Sequence, residues 1–200
     1  MQNKVGIFGC GGHARSVADV VLSNQPKAKI IFVDSAAKEG EKILGFPVQK
    51  MLKEKTSLNY CAIGDNLTRK KCFEKYSFST LISKDSYLGQ ACQIGKGTFV
   101  AHHAHIGPCA RIGKGCIINT ASVIEHEVEV GDFSHISVNA TLCGRVKIGS
   151  NVFVGAGSVI RDKVHICDNV IIGCGSVVVK DITESGVYVG CPAKKLGELK

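Results

Sequence analysis

The chain has 200 residues, of which 44% are hydrophobic and 21% are charged, and its formal net charge is +8. This composition can bury one large core or two small ones, while the apolar runs stay well short of the roughly 20 residues that cross a bilayer. We therefore expect no membrane insertion. The basic residues are dispersed and tryptophan is absent, so we expect no nucleic-acid partner; the positive charge would equally attract a polyphosphate ligand.

Cysteine usage bears on the cellular compartment. The ten cysteines are scattered singly with no C-x-x-C pair, which argues against a disulfide framework and against a zinc site. We expect most of them to be small buried residues of a protein in a reducing cytoplasm. The chain runs from Met1 straight into a strand, without the apolar segment of a signal peptide, which agrees with a cytoplasmic location.

The first 83 residues alternate between predicted strands and predicted helices. The strands cover residues 5–8, 30–33 and 60–63, and the helices cover residues 15–22 and 67–76. A strand–loop–helix order of this kind is that of a small Rossmann-like unit. We place this α/β domain at residues 1–83.

The loop after the first predicted strand has the composition of a nucleotide site. It reads Gly9-Cys10-Gly11-Gly12-His13-Ala14, and its glycines let the backbone approach a phosphate at a helix N-terminus. Asp34, which closes the second strand, can accept hydrogen bonds from a ribose or a base. About 80 residues are too few for both halves of a dinucleotide-binding fold, so a single-nucleotide ligand fits better. A purely structural β-α-β unit is the alternative.

Residues 88–183 divide into sixteen six-residue units without an insertion. The first position of every unit is aliphatic, from Leu88 to Val178, and the fifth position is small or β-branched. Glycine, asparagine and aspartate recur at the second to fourth positions, where the chain must turn. The six residues from Ile82 fit the same rule.

Units of this kind predict a parallel β-helix, in which each short strand supplies one inward aliphatic residue and one inward small residue. Three units form one coil, and successive coils stack at the strand spacing of about 4.8 Å. An antiparallel barrel would instead need hairpin turns at intervals of about 8–12 residues, which this continuous register does not provide. We place the β-helix domain, with a short C-terminal tail, at residues 84–200.

The repeat resembles that of the left-handed β-helix acyltransferases of the hexapeptide-repeat superfamily, and residues 187–194, VYVGCPAK, resemble the G-x-P-A-K end of that family. With its Rossmann-like front, the chain resembles the subfamily of sialic acid O-acetyltransferases and of N-acetyltransferases for nucleotide-linked amino-deoxysugars, of the bacillosamine-pathway type. The most specific match is NTASVIEHE at residues 119–127, followed by GDFSHI at residues 131–136. The left hand comes from the resemblance, since parallel crossovers in general favour the right hand.

The resemblance implies that His126 is the general base of an acetyl transfer and that Glu127 orients or polarises it. Histidine suits this task because an aminosugar must attack the thioester as a neutral amine. His126 is the third residue of its unit, and Gly144 holds the same place one coil later. We therefore expect Gly144 to stack beside His126, where its N–H can approach a developing oxyanion.

The resemblance also implies two sets of binding residues. Acetyl-CoA is expected to contact His135 and the main chain at Ala156 and Cys174, which share one column of the β-helix. No metal is expected. The nucleotide sugar is expected to contact Gly11, Gly12, His13, Asp34, Ser35, Gly64 and Asn119.

The resemblance therefore implies an acetyl-CoA-dependent N-acetyltransferase that acts on a nucleotide-linked amino-deoxysugar, a UDP-, dTDP- or GDP-4-amino-4,6-dideoxysugar, in polysaccharide or O-antigen biosynthesis. The family assembles in threes, so we expect a homotrimer with active sites between subunits. The sequence leaves open the nucleotide, the sugar, the carbon that carries the amine and the final glycan.

Three alternatives remain at this point. The nearest is an O-acetyltransferase that acts on free sialic acid. A γ-type carbonic anhydrase also uses a β-helix and binds zinc through three histidines, but His102, His103 and His105 lie within one six-residue unit and point in different directions. A non-enzymatic nucleotide-sensing module would bind a nucleotide without coenzyme A.

Overall fold

The computed structural model describes residues 4–53 and 55–199. Residues 1–3 and 200 of the two predicted domains, including the predicted run from Met1 into a strand, lie outside the described residues. In the described part of the chain, no helix combines the length and the hydropathy of a membrane span. An open sheet with two helices is followed by a β-helix.

Five strands and two helices form the N-terminal region: β1 Lys4–Phe8, α1 Gly12–Asn24, β2 Lys29–Val33, β3 Lys42–Ile43, β4 Phe46–Gln49, β5 Leu58–Cys61 and α2 Asn66–Lys75. The strand order is β3-β4-β2-β1-β5, parallel except for the antiparallel pair β3–β4. Successive side chains of β1 point to opposite faces. Val5 and Ile7 pack against α1, whereas Phe8 packs with Ile31 and Phe78 on the other face.

All five predicted N-terminal elements are present, with different ends. α1 begins at Gly12 and continues to Asn24, beyond the predicted residues 15–22. Sequence reasoning does not predict the β3–β4 hairpin. Its turn residues Leu44 and Gly45 have φ values of 51° and 80°, as a two-residue hairpin turn requires. The hairpin lacks an Asn-Gly or Asp-Gly turn, and β3 has only two residues, so its pattern in the sequence is weak.

The β-helix has three faces built from parallel strands stacked one coil apart, and a C-terminal antiparallel hairpin extends one of them. One face, which we call the domain face because the N-terminal region packs on it, contains β6 Leu81–Ile82, β9 Phe99–Val100, β12 Ile117–Ile118, β15 His135–Ile136, β18 Phe153–Val154, β21 Val170–Ile172 and the hairpin strands β23 Gly186–Gly190 and β24 Ala193–Gly197. The neutral face contains β7 Tyr87–Leu88, β10 His105–Ile106, β13 Val123–Ile124, β16 Thr141–Leu142, β19 Val159–Ile160 and β22 Val177–Val178. The charged face contains β8 Gln93–Ile94, β11 Arg111–Ile112, β14 Glu129–Val130, β17 Lys147–Ile148 and β20 His165–Ile166.

The six-residue repeat sets this register. Ile106 pairs with Ile124 and Ile124 with Leu142, so parallel partners are 18 residues apart. The aliphatic first positions and the small fifth positions are buried together inside the coils. Leu88 is 39% exposed because it lies at the open end of the stack. In fifteen of the sixteen units the chain turns at the fourth position, where residues such as Asn139 (φ 54°) adopt the left-handed conformation.

The N-terminal region packs on the domain face. Outward-facing Leu81, Phe99 and Ile117 are buried in one cluster with residues of α1 and β1. Further along the same face, Phe153 is half-buried and Ile171 is 37% exposed. The N-terminal region therefore covers the first coils of this face and leaves the last ones open.

The cysteines are less buried than expected. Of the ten, all free thiols, only Cys61 and Cys116 are buried, five are half-buried, and Cys109, Cys174 and Cys191 are exposed. The expectation that most are buried is wrong, because several occupy the outward-pointing corner positions of the repeat units.

Candidate active site

The predicted catalytic residues lie at the corner between the neutral face and the charged face, which we call the His126 corner (His126, Glu127, Gly144 and Arg145). The His126 side chain is 48% exposed, and its Nδ1 lies 3.1 Å from Oε2 of Glu127. A carboxylate at Nδ1 favours the tautomer that carries its proton there, which leaves Nε2 free to accept another.

Gly144 lies directly against the His126 ring. A Cβ atom built on Gly144 would lie 2.5 Å from His126 Nε2 and 2.6 Å from Cε1. No side chain fits beside the ring in this position. The structure thus places the two residues next to each other, one coil apart, as the repeat predicts.

Sequence reasoning missed Arg145. Its Nε donates a hydrogen bond of 2.9 Å to Glu127 Oε2, the same oxygen that His126 contacts. The Arg145 guanidinium, and after it the His126 ring, hold the pKa of the Glu127 carboxyl below its usual range. The sequence could have indicated this ion pair, because Arg145 lies 18 residues, or one coil, after Glu127. Lys147 and Glu129 have the same spacing and form another ion pair.

A cleft of about 680 Å³ opens in the N-terminal region around the glycine-rich loop, and we call it the nucleotide cleft. Six of the seven residues predicted to bind the nucleotide sugar line it together: Gly11, Gly12, His13, Asp34, Ser35 and Gly64. α1 begins within this loop, and a helix N-terminus is a favourable place for a phosphate.

Asp34 braces the glycine-rich loop. Its Oδ2 accepts a hydrogen bond from the Cys10 N–H (3.1 Å), and its Oδ1 accepts one from the Ala36 N–H (2.9 Å). Burial opposes ionisation, but the hydrogen bonds from Ala36 and Cys10 outweigh it and hold the Asp34 pKa below its usual range. Each carboxylate oxygen can accept a second bond, so the loop contacts leave capacity for a ligand.

The nucleotide cleft also contains residues that sequence reasoning missed. Lys50, Lys71 and Lys75 line it, as do the rings of Phe8 and Tyr76, whose centroids are 4.7 Å apart. Lysines attract phosphate, and aromatic rings offer a surface to a base. The direction in which Lys71 and Lys75 point depends on how α2 packs, so the sequence of this helix alone does not show that they face the cleft.

His13 and His135 meet where the cleft adjoins the β-helix, and we call this contact the buried junction. Their ring centroids are 6.4 Å apart, with His13 edge-on to Phe99 and His135 edge-on to Phe153. Asn119 Nδ2 lies 3.2 Å from His135 Nε2. Asn119 therefore lies on the β-helix beside the junction, whereas the other predicted substrate residues lie in the cleft.

Arg69 holds the buried junction in place. Sequence reasoning missed this residue because its sequence context does not distinguish it from the solvent-facing basic residues that follow it. It is 1% exposed. Its guanidinium donates five hydrogen bonds of 2.7–3.1 Å that join α2, the cleft loop and two coils of the β-helix. The acceptors are the carbonyl oxygens of Ile63, Gly64, Gly115 and Phe133 and the side-chain oxygen of Asn66.

The junction keeps both histidines neutral. Burial, followed by the charge of Arg69, lowers the pKa of His13 to about 4 and that of His135 to about 3. Burial also lowers the pKa of Arg69 to about 10, which leaves the guanidinium charged at neutral pH. The junction therefore combines one buried cation with two neutral rings.

Two of the three residues predicted to bind acetyl-CoA, Ala156 and Cys174, lie at the corner between the domain face and the neutral face, whereas His135 lies in β15 on the domain face. Ala156 is half-buried and Cys174 exposed, and the N–H of Gly175 donates to the Ala156 carbonyl oxygen at 2.9 Å. Asn119 belongs to the same corner. This corner adjoins the nucleotide cleft through the contact of His135 with His13.

In one chain, the predicted residues therefore form two separated sets. The nucleotide cleft, the buried junction and the column of Ala156 and Cys174 adjoin one another. The His126 corner lies on the far side of the neutral face, and the described residues that line the cleft include none of its members.

The histidines of the carbonic anhydrase alternative have other contacts. His102 Nδ1 lies 2.7 Å from Ser83 Oγ, its Nε2 lies 3.3 Å from Asp19, and the His105 ring stacks on Tyr87. Within residues 4–53 and 55–199, no three histidine, cysteine or acidic side chains are grouped to hold a metal ion. The geometry gives no support to this alternative.

Comparisons with known proteins agree with the architecture. Residues 4–76 match the PglD N-terminal domain family, and residues 145–180 match the bacterial transferase hexapeptide family of six repeats. The acetyltransferase domain of PglB from Neisseria gonorrhoeae FA1090, in complex with acetyl coenzyme A, is 28% identical. It superimposes with a TM-score of 0.90 over 98% of this chain and 100% of that chain.

PerB from Caulobacter crescentus, in complex with CoA and GDP-perosamine, is 31% identical and has a TM-score of 0.86 over 97% of each chain. The fold and the site define a left-handed β-helix acyltransferase. The left-handed coil predicted from the resemblance agrees with these structures.

A curated relative, uncharacterized protein L142 of Acanthamoeba polyphaga mimivirus, is 34% identical over 96 residues, which are 45% of this chain and 19% of that protein. The chain thus spans less than a fifth of that relative, whereas it matches PerB over nearly the full length of both. The chain therefore belongs to the hexapeptide-repeat acetyltransferase family that carries a PglD N-terminal domain.

Proposed function

We propose that this protein is an acetyl-CoA-dependent N-acetyltransferase that acts on the amino group of a nucleotide-linked amino-deoxysugar. The observation that carries the proposal is the His126 corner, where an exposed imidazole has a carboxylate at Nδ1 and the backbone of Gly144 against Nε2. Membership of a family whose structures hold acetyl coenzyme A, or CoA with GDP-perosamine, supports both ligands.

In the proposed reaction, the sugar amine attacks the carbonyl carbon of the thioester. A C–N bond forms, the C–S bond breaks, and coenzyme A leaves with a proton as the free thiol. His126 Nε2 accepts the proton that the amine loses, and Glu127 stabilises the resulting imidazolium. We assign the backbone N–H of Gly144 to the oxyanion, because its lack of a side chain lets the substrate approach.

We assign the nucleotide to the nucleotide cleft, with Gly11, Gly12, His13, Asp34, Ser35 and Gly64 as its contacts. The glycine loop at the start of α1 and the neighbouring lysines suit a diphosphate. We assign Asn119 to the sugar end, since it lies on the β-helix beside His135. His13 Nε2 is buried without a hydrogen-bond partner among the described residues, and the substrate would supply one.

We assign acetyl-CoA to the corner that carries Ala156 and Cys174, with His135 near the acetyl end. Main-chain bonding at this corner does not require a reactive thiol, so Cys174→Ser should bind acetyl-CoA like the unmodified protein. Titration calorimetry of the variant tests this assignment.

We further propose a homotrimer that joins the two separated sets of residues. The outward residues of the neutral face, Tyr87, His105, Val123, Thr141, Val159 and Val177, form a column without acidic side chains, lysine or arginine. Packing this face against a neighbouring subunit would bring the His126 corner of one copy to the nucleotide cleft of the next, and closed symmetry repeats the contact.

Mixed subunits test the shared site. His126→Ala and Asp34→Ala proteins, each of low activity, should regain up to about a quarter of normal activity when they are unfolded together and reassembled, because a random mixture pairs intact halves at that frequency. Sedimentation velocity should show trimers. A stable monomer at micromolar concentration, or no recovery in mixed trimers, would contradict the shared site.

We propose the domain division at residues 83 and 84, a cytoplasmic location and a role in polysaccharide or O-antigen biosynthesis. The free state of all ten cysteines, three of them exposed, agrees with a reducing compartment.

An acceptor panel tests the proposed activity. UDP-, dTDP- and GDP-linked 4-amino-4,6-dideoxysugars are incubated with acetyl-CoA, and mass spectrometry records the gain of one acetyl group. Matched nucleotide sugars with a 4-hydroxyl group are the control, and free sialic acid tests the O-acetyltransferase alternative. Acetylation of an amino sugar alone is expected; acetylation of sialic acid alone would overturn the proposal.

A further inference from the structure

A second cavity, of about 490 Å³, lies where α2 meets the corner between the charged face and the domain face. We call it the basic cavity; its principal lining residues are Lys70, Phe73, Lys75, Lys96, Lys114 and Phe133. It shares only Lys75 and Tyr76 with the lining of the nucleotide cleft, and it is remote from the His126 corner. The proposed reaction does not use it.

The apolar wall of the basic cavity is held in place. The Phe73 ring lies 4.9 Å from Phe78 and 5.1 Å from Phe133, the latter edge-on. A Cβ on Gly97 would lie 2.6 Å from the Phe73 ring, and one on Gly115 would lie 2.5 Å from the Phe133 ring. The two glycines therefore let the rings rest on the backbone of the β-helix corner.

The charge around this wall is unbalanced. Four lysines line the cavity against a single acid, Glu74. Lys96 and Lys114 occupy the same position of successive coils, so their backbones are about 4.8 Å apart and their charges have the same sign. Lys114 pairs with Asp132 at 3.6 Å, whereas Lys70, Lys75 and Lys96 have no ion pair with a described residue.

Two other pairs of side chains one coil apart on this β-helix have opposite charges and attract each other, whereas Arg145 and Lys163 repeat the same sign. Glu127 pairs with Arg145 and Glu129 pairs with Lys147. Like charges held at coil spacing repel, and a bound anion would remove that repulsion. The basic cavity thus has the charge of an anion site and the wall of a site for an apolar ring.

We propose that the basic cavity binds a second phosphorylated small molecule that carries a planar ring, the chemistry of a nucleotide, independently of the nucleotide cleft. Its volume falls within the about 300–1,000 Å³ of small-molecule sites. The ammonium groups of Lys96 and Lys114 contact the phosphate, and the Phe73 ring, which lines only the basic cavity, contacts the planar group. The inference does not rest on the proposed acetyl transfer.

Calorimetric titration of the whole protein with ADP tests this site. The Lys96→Gln/Lys114→Gln variant changes only the basic cavity, and Lys71→Gln changes only the nucleotide cleft. Lys27→Gln/Lys29→Gln is the matched control, with two exposed lysines away from both cavities. We expect the Lys71→Gln protein and the control protein to bind ADP at the basic cavity with unchanged affinity. In Lys96→Gln/Lys114→Gln, the affinity of this cavity for ADP should fall at least about tenfold.

Two further measurements complete the test. Pyrophosphate should bind the Lys71→Gln protein at least about tenfold more weakly than ADP does, since it lacks the ring. Lys96→Gln/Lys114→Gln should keep its unfolding midpoint and its acetyl-transfer rate, because both lysines are exposed. Normal ADP binding by Lys96→Gln/Lys114→Gln, or loss of all ADP binding in Lys71→Gln, would show that the basic cavity is not a binding site. Equal affinities for pyrophosphate and ADP would show that the cavity does not recognise a ring.

Discussion

The His126 corner and the buried junction place the same residue type in opposite environments. His126 is 48% exposed and has charged neighbours, whereas His135 is 8% exposed and lies near a buried arginine and a second histidine. An exposed ring can change its protonation without disturbing the fold. A buried ring that must stay neutral links protonation to folding. Substitutions should therefore affect chemistry at the first place and stability at the second.

The largest expected effect is on catalysis at the exposed corner. His126→Ala should lower kcat by about 10²–10⁴-fold, the usual contribution of a positioned general base. The Michaelis constants should stay within a few-fold, and residual activity should rise with pH as more acceptor amine becomes neutral. The free energy of unfolding should change by less than about 0.5 kcal/mol, because the side chain is exposed. Near-normal turnover at pH 7 would remove His126 as the base.

The largest effect on stability should come from the junction. Arg69→Met leaves four carbonyl oxygens and the Asn66 side chain without their donor, which should cost about 3–5 kcal/mol. Urea unfolding measures this loss. Lys70→Met, an exposed neighbour on the same helix, is the control and should cost less than about 0.5 kcal/mol. Similar losses for both variants would show that Arg69 does not join the two regions.

Acid should destabilise the protein through the junction. His13 and His135 have pKa values of about 4 and about 3 in the folded protein, below the ordinary 6.5. The unfolded chain therefore binds protons that the folded chain does not, and stability falls as pH drops from about 6.5 towards 4. Each histidine should remove about 2 kcal/mol by pH 5, measured by urea unfolding across pH.

One variant separates this effect from general acid unfolding. In His135→Gln, unfolding should take up about one proton fewer, so the free energy of unfolding should change less steeply with pH. His103→Gln, on the exposed surface, should leave this slope unchanged. An unchanged slope in His135→Gln would mean that the ring is not kept neutral by its surroundings.

A smaller effect is expected from the residue that stacks against the base. In Gly144→Ala the new methyl group would displace the His126 ring, and a misplaced catalytic group should lower kcat by about 10–100-fold. Gly197→Ala is the control, since a Cβ there meets nothing within 4 Å. Steady-state rates compare the two, and normal activity in Gly144→Ala would show that the ring need not remain where the structure places it.

The smallest effect concerns Arg145. Without its guanidinium, the Glu127 carboxylate loses the hydrogen bond that holds its pKa lowest and that orients it towards His126 Nδ1. Arg145→Ala should lower kcat by less than about tenfold, because exposed ion pairs contribute little, and Arg145→Lys should lower it less. Steady-state rates measure both variants, and a loss as large as that of His126→Ala would contradict this supporting role.

The His126 corner could be predicted from the sequence because the repeat is local. Each unit of six residues repeats the same inward and outward positions, so a residue and the one 18 positions later must be neighbours. That rule alone places Gly144 against His126, and it could have placed Arg145 beside Glu127. The roles of His126 and Glu127 came from the resemblance, that of Gly144 from the repeat and the resemblance together, and all of them stay predictions.

The N-terminal sheet shows where local patterns are insufficient. The strands β1, β2 and β5 and both helices could be predicted from their apolar patterns and the glycine-rich loop. The β3–β4 hairpin could not, because its strands are short and its turn, Leu44-Gly45, lacks the usual sequence signal.

The sequence by itself determined that this chain is a β-helix preceded by a small Rossmann-like fold, because six-residue periodicity and strand–loop–helix order need only near neighbours. Only the tertiary structure decided which polar residues are buried between those regions. Arg69 has the sequence context of an exposed helix residue, yet its bonding partners lie on three separate segments. The same packing keeps His13 and His135 neutral, and it separates the nucleotide cleft from the His126 corner, since both follow from how the sheet docks on one face of the coils.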